Sequence, residues 1–296
     1  MQQNNAFVIW RSISWLFKPV LKSGTAMPID IPLSSLLFQT LFVTIVAFAT
    51  LWAFHHRKKD LGIIDIYWGP GFFIISLIYI VNSSLSNPQL ILALLTFLWS
   101  TRLGLYLYVR HQGAKGEDRR YARMRKNGGA SFWWKSLFKI CVLQAVIMWF
   151  IATPHHVALA TPINSEIFNE IVFSIGMILF LFGLLYESIA DYQLYRFKSD
   201  AANVGQTMQA GLWSYSRHPN YFGEIVLWWG LGLTAYAINP NLVAFFGPAL
   251  VTFLLIKVSG VAMLKSHLEN EKDGYSSYIE NTNALLPWPK RTKTQF

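Results

Sequence analysis

Runs of about twenty apolar residues separated by short polar turns dominate this chain, and that feature limits what it can become. A helix rises about 1.5 Å per residue, so each run matches the roughly 30 Å hydrocarbon core of a bilayer. About seven such runs are legible, at 33–54, 61–81, 89–108, 134–152, 167–190, 221–238 and 242–264. They lack the period-two alternation of membrane strands, which excludes a closed barrel and predicts an all-α polytopic bundle. Composition agrees: 53% hydrophobic and only 14% charged residues over 296 positions is too apolar for an ordinary soluble domain. Turns such as Ser86-Asn87-Pro88 and Asn239-Pro240-Asn241 make the flanking helices antiparallel neighbours.

Charge then gives an orientation. The net charge of +10 could suggest nucleic acid, but the basic residues collect in alternate loops, at 55–60, 110–129 and 191–219, and in the C-terminal tail. Loops 82–88, 153–166 and 239–241 contain no Lys or Arg. That alternation argues against nucleic-acid binding and places the basic loops and the C-terminus in the cytoplasm. Residues 1–32 form an N-terminal extension in which 7–22 reads as an amphipathic helix lying in the interface. Its charges, Arg11, Lys18 and Lys22, interrupt the apolar run and so do not make a signal peptide. The membrane domain is expected over 33–290, with a tail at 291–296. The single cysteine, Cys141, cannot form an internal disulfide. The histidine pairs His55-His56 and His155-His156 lack a third nearby ligand, so no metal is expected.

The chemistry concentrates at the cytoplasmic ends of the runs. In GLWSYSRHPNYFGE, residues 211–224, the side chains of Arg217, His218, Asn220 and Glu224 stand at the mouth of an apolar helix started by Pro219. Asn220 and Glu224 are four apart and share a face, as do Glu187 and Asp191 at the end of the preceding run, with Arg196 and Lys198 just beyond. Carboxylates at membrane depth need partners, and Arg102, Arg110, Arg217 and His218 are candidates, which points to a charged cavity open to the cytoplasm. Plainer readings stand beside this one. Arg217 and His218 can anchor and cap a helix, Glu187 and Asp191 can pair with Arg196, and Trp213, Trp228 and Trp229 can be belt or core residues. Asp65 is the acid of the N-terminal half. Apolar surroundings would favour its neutral form and let it donate a proton, although helix pairing with Arg102 explains it equally well; Tyr67 and Tyr106 are alternative donors.

These residues also carry a resemblance. GLWSYSRHPNYFGE, followed by WWG, KVSG and LLPWP, and preceded by DIYWGPGF, WSTRLGLYLYVRHQGAKGEDRRYARMR and FGLLYESIADYQLYRFKSD, resembles the membrane reductases related to the C-terminal part of steroid 5-alpha-reductases, of the DUF1295 type. It covers roughly residues 60 to 290. The resemblance implies a seven-helix bundle that uses NADPH on an apolar, membrane-soluble substrate, in the inner membrane of a bacterium or the endoplasmic reticulum of a eukaryote. It also implies that the Asn220, Tyr221, Gly223 and Glu224 segment meets the cofactor, with Asn220 and Glu224 holding the nicotinamide end and Gly223 allowing close approach, and that Tyr106, Arg110, Asp191, Arg196 and Lys198 line it. Read from their place at the helix start, Arg217 and His218 join the cofactor-binding set, Arg217 facing the phosphates. Lys265 and His267 are further candidates for that pocket. The acid pair departs from the steroid enzymes, with Asp65 near the position of their glutamate and Trp99 at that of their tyrosine, which a tryptophan cannot replace as a proton donor. RHPNYFG also resembles the isoprenylcysteine and phospholipid methyltransferases, which use S-adenosylmethionine; fewer spans and the long upstream match set them second.

Overall fold

A computed structural model describes residues 31–113, 116–164, 166–258 and 275–289; the amphipathic segment 7–22, Lys265, His267 and the tail lie outside them. The described residues are all-helical. Four helical stretches, Leu33–Arg57, Asn87–Gln112, Arg120–Ile151 and Glu170–Ser199, are long and apolar enough to cross a membrane, and Trp68–Asn82 and Leu242–Val258 are shorter apolar helices. The protein is a polytopic membrane protein. Its contacts divide it into two units, Met1–Phe168 with Ile238–Asn241, and Asn169–Ala237 with Leu242–Phe296.

The first unit contains α1 (Leu33–Arg57), α2 (Ile63–Ile66), α3 (Trp68–Asn82), α4 (Asn87–Gln112), α5 (Arg119–Gly128), α6 (Phe132–Ser136), α7 (Leu143–Ile151) and α8 (Thr153–Leu159). The expected continuous helix at 61–81 is broken at Tyr67, and α3 restarts with Pro70 in its first turn, where a missing N–H is tolerated. Helix α4 opens on a capping box, with Gln89 Oε1 accepting from Ser86 N at 2.9 Å. The same amide donates to Ala158 O and Thr161 O at 2.7 and 2.8 Å, which ties down the end of α8. The expected loop at 153–166 therefore starts as a helix, and every residue of α8 is buried. Its two histidines meet hydroxyls: His155 lies 2.9 Å from Thr96 Oγ1 and His156 lies 2.8 Å from the Tyr79 hydroxyl. The basic segment 110–129 is also more ordered than a loop, since α4 runs on to Gln112 and α5 occupies its second half. A π-helical stretch, Leu137–Val142, joins α6 to α7.

The second unit contains α9 (Glu170–Ser199), α10 (Pro219–Ile238) but for its last residue, α11 (Phe246–Phe253) and α12 (Tyr275–Asn281). Asn169 caps α9 by accepting from Val172 N at 3.0 Å. The helix then continues to Ser199, well past the expected end at 190, so Arg196 and Lys198 lie on it and not in the following loop. Helices α9 and α10 meet along glycines spaced two turns apart. A Cβ on Gly183 would lie 2.5 Å from Leu227 N, and one on Gly223 would lie 2.6 Å from Glu187 N. Small residues let the two backbones touch, as in close-packed membrane helices.

Candidate functional site

The glycine seam decides what the second unit can bind. Contact at Gly223 sets the first turns of α10 against the part of α9 that carries Glu187 and Asp191, each only 3% exposed. The close approach expected at Gly223 is thus made by the α9 backbone. Asn220 Nδ2 donates to Asp191 Oδ1 at 3.1 Å, while Asn220 Oδ1 is buried with no hydrogen-bond partner among the described residues. Arg217 Nε is in the same condition. Glu224, one turn deeper, accepts from Trp228 Nε1 at 3.0 Å, so this tryptophan, 1% exposed, is a core residue with a specific task.

The loop before α10 is held by the chain's C-terminal segment. Tyr278 donates from its hydroxyl to Trp213 O at 2.5 Å and to Ser216 O at 3.2 Å. Ser216 Oγ donates to Leu285 O at 2.8 Å, and Arg217 N donates to Asn283 O at 2.9 Å. Such fixing orders the polar groups before any ligand arrives. His218 stacks on Tyr221, with ring centres 5.1 Å apart and planes 7° from parallel. Burial first, and then the charge of Arg217, lower its pKa to about 4, so it is neutral near pH 7 and offers a ligand no positive charge. Arg196 and Lys198 are exposed, and Arg196 lines an open cleft of about 540 Å³ with Gln193, Asp200 and Asn203.

A second polar cluster lies in the first unit. Asp65 Oδ2 accepts from Arg120 Nη2 at 2.5 Å and Oδ1 accepts from the Tyr121 hydroxyl at 2.7 Å. Its partners are therefore on α5, in place of the expected Arg102, whose guanidinium lies 5.5 Å from the Tyr106 ring centre. Gln144 Nε2 reaches the Tyr121 hydroxyl at 3.4 Å and its Oε1 accepts from Trp68 Nε1 at 2.8 Å. Asp118 bonds Arg120 at 3.0 Å; burial opposes its ionisation, but the Arg120 hydrogen bonds and charge outweigh that and hold its carboxyl below the usual range. A cavity of about 80 Å³ is lined by Asp65, Arg110, His111 and Asp118 among others. Tyr67 packs edge-on to Phe48 at 5.1 Å, and its hydroxyl is buried with no hydrogen-bond partner among the described residues. Trp99 is 2% exposed and packs on Phe72 at 5.5 Å, a core residue.

Sequence reasoning missed Arg120, Tyr121 and Gln144 as the partners around Asp65. Gln144 was the readable signal, because an amide inside an apolar run needs a partner.

A family model described as "Protein of unknown function (DUF1295)" matches residues 51–282. The chain belongs to the DUF1295 family. An uncharacterized protein of Schizosaccharomyces pombe is 29% identical to this DUF1295 chain over 209 residues, 60% of this chain and 58% of that protein. More distant similarity links it to 3-oxo-5-alpha-steroid 4-dehydrogenase 2. The Sus scrofa protein is 30% identical over 124 residues, 42% of this chain and 45% of that one, and the Homo sapiens protein 30% identical over 79 residues, 27% and 31%. The match to the DUF1295 chain thus spans between about a third and three fifths of the length of these relatives. No solved structure matches it.

Proposed function

We propose that this DUF1295 protein is an NADPH-dependent membrane reductase that adds hydrogen across a polarised carbon–carbon double bond of an apolar, lipid- or steroid-like substrate. The observation that carries this reading is Asn220. Its Nδ2 is engaged by Asp191, which orients the amide, and its buried Oδ1 is left to accept a hydrogen bond. A primary carboxamide, the polar end of nicotinamide, supplies that donor. The unmatched Nε–H of Arg217 fits an acceptor oxygen such as a phosphate, and exposed Lys198 and Arg196 add positive charge on α9. On these grounds the residues fit the cofactor. NADPH, when bound, supplies the hydride.

The chain's own residues then have separate duties. Asn220 and Asp191 orient the carboxamide, Glu224 gives a carboxylate held by Trp228, and neutral His218, stacked on Tyr221, adds no charge beside them. The acid role is assigned to the corner at Asp65 and Tyr67. Asp65 is the charge-balanced anchor of its network, and the Tyr67 hydroxyl keeps a proton that no described residue accepts. Seven crossings, with the basic loops and C-terminus in the cytoplasm, are part of the reading; the lysine and arginine bias of the loops supports that orientation. Tyr106 and Arg110 are retained as cofactor residues on the strength of the resemblance.

Calorimetric titration of the detergent-purified chain with NADPH, NADH and S-adenosylmethionine tests the class. Tighter binding of NADPH than NADH is expected. Tight S-adenosylmethionine binding with no affinity for NADPH would replace the reductase with a membrane methyltransferase.

A further inference from the structure

Helix α5 has two unlike faces. The inner one is fixed: Tyr121 is 4% exposed and donates to Asp65, and Arg125 holds Glu117 at 2.7 and 3.1 Å with its guanidinium 4.8 Å from the Phe132 ring centre. The outer one is exposed and basic, with Arg123, Met124 and Lys126. Gly129, at φ 52°, then turns the chain in a conformation that residues with a Cβ rarely adopt. Past that turn come exposed Trp133 and Trp134, Lys135 lying 5.5 Å from the Trp134 ring centre, and exposed Phe138 and Lys139. Residues 119–139 contain seven Lys or Arg and no Asp or Glu.

We propose that 119–139 is a docking surface for anionic phospholipid headgroups. Three observations converge on that occupant. The segment belongs to a helical stretch, Arg120–Ile151, apolar enough to cross a bilayer, so its basic end stands at headgroup depth. Exposed tryptophans beside lysines are the side-chain pair that suits this layer, the rings among headgroups and the ammonium groups on phosphates. Arg120 and Arg125 are paired with Asp65, Asp118 and Glu117, and the exposed Arg123, Lys126, Lys135 and Lys139 complement an anionic leaflet and draw nothing from a zwitterionic one beyond apolar contact. Because hydrogen bonds already hold the inner face of α5, its outer Arg123 and Lys126 are presented without an ordering step. This surface stands independently of the reductase reading.

The test uses the full chain in nanodiscs of phosphatidylcholine alone or mixed with phosphatidylglycerol, reading amide hydrogen exchange over 119–139. Exchange is expected to slow by at least about threefold in the anionic discs, and to return to the phosphatidylcholine rate at high salt. The triple variant K126Q/K135Q/K139Q should lose the slowing while Leu33–Arg57 exchanges as in wild type, which shows that it is folded. Should the triple variant not fold, Lys126→Gln alone should give a partial loss. Equal exchange in both lipid compositions, or slowing that survives these substitutions, would overturn the proposal. Equal slowing by inorganic phosphate added to phosphatidylcholine discs would also overturn it, assigning the site to free phosphate.

Discussion

Asp65 in the first unit and Asp191 in the second are both carboxylates drawn out of water, and each orients a neighbouring side chain that leaves different capacity behind. Asp65 is gripped by a guanidinium on one oxygen and a phenol on the other. Asp191 is met by an amide, and an amide has two ends: the Asn220 NH2 bonds Asp191 while its oxygen is buried with nothing to accept from among the described residues. An amide partner passes hydrogen-bonding capacity onward. The comparison assigns anchoring to the first cluster and ligand recognition to the second, and each half of it can be broken separately.

The largest effect is expected from the seam that creates the second cluster. Gly183→Val puts a side chain where the backbone of α10 already stands, 2.5 Å from Leu227 N, and should cost about 3 kcal/mol or more. Thermal unfolding in detergent should show a midpoint several degrees lower, with NADPH affinity lost. An unchanged midpoint would mean that α9 and α10 do not meet along glycine.

Acid should act next. With its pKa lowered to about 4 from 6.5, His218 contributes stability that is complete above pH 6.5 and lost as pH falls through the window towards 4. The loss reaches about 3 kcal/mol at the bottom of that window. His218→Phe keeps a ring against Tyr221 without a titrating group, so its unfolding midpoint should fall less than the wild type's between about pH 7.5 and 4.5. Parallel falls would remove His218 from the account.

Asn220→Ala sharpens the recognition half. Removing the oriented amide should weaken NADPH binding about tenfold, the worth of one good hydrogen bond to a buried partner, with little change in unfolding midpoint. If affinity holds, the spare oxygen of Asn220 does not read the cofactor.

Asp65→Asn is expected to change stability only modestly. Arg120 is 49% exposed, so solvent screening leaves the pair worth about 1 kcal/mol or less. NADPH affinity should be unchanged while substrate-dependent NADPH consumption falls. Full turnover in this variant would remove Asp65 from the acid corner, and loss of turnover in Tyr67→Phe would then place the acid role on the Tyr67 hydroxyl.

Local spacing explains how much of this was legible. Asn220, Glu224 and Trp228 follow one another at four-residue steps, as do Glu187 and Asp191, so their common faces are fixed by the helical repeat alone. Helix ends were less legible. Nothing in YESIADYQLYRFKS marks a stop at residue 190, and α9 continues because every residue to Ser199 suits a helix once hydropathy is no longer the criterion. In the same way α8 was hidden in a run too short to cross a bilayer.

Sequence alone determined the solvent, the helical class, the basic-loop pattern and the residues that share a face, because all of these depend on composition or on a period of a few residues. Tertiary structure alone decided the partners. Asp65 meets Arg120 and Tyr121 across 55 and 56 residues, and Asp191 meets Asn220 across 29. No local period specifies those pairings. They follow from which helices pack, and at α9 and α10 that choice rests on backbones close enough to exclude any side chain at Gly183 and Gly223.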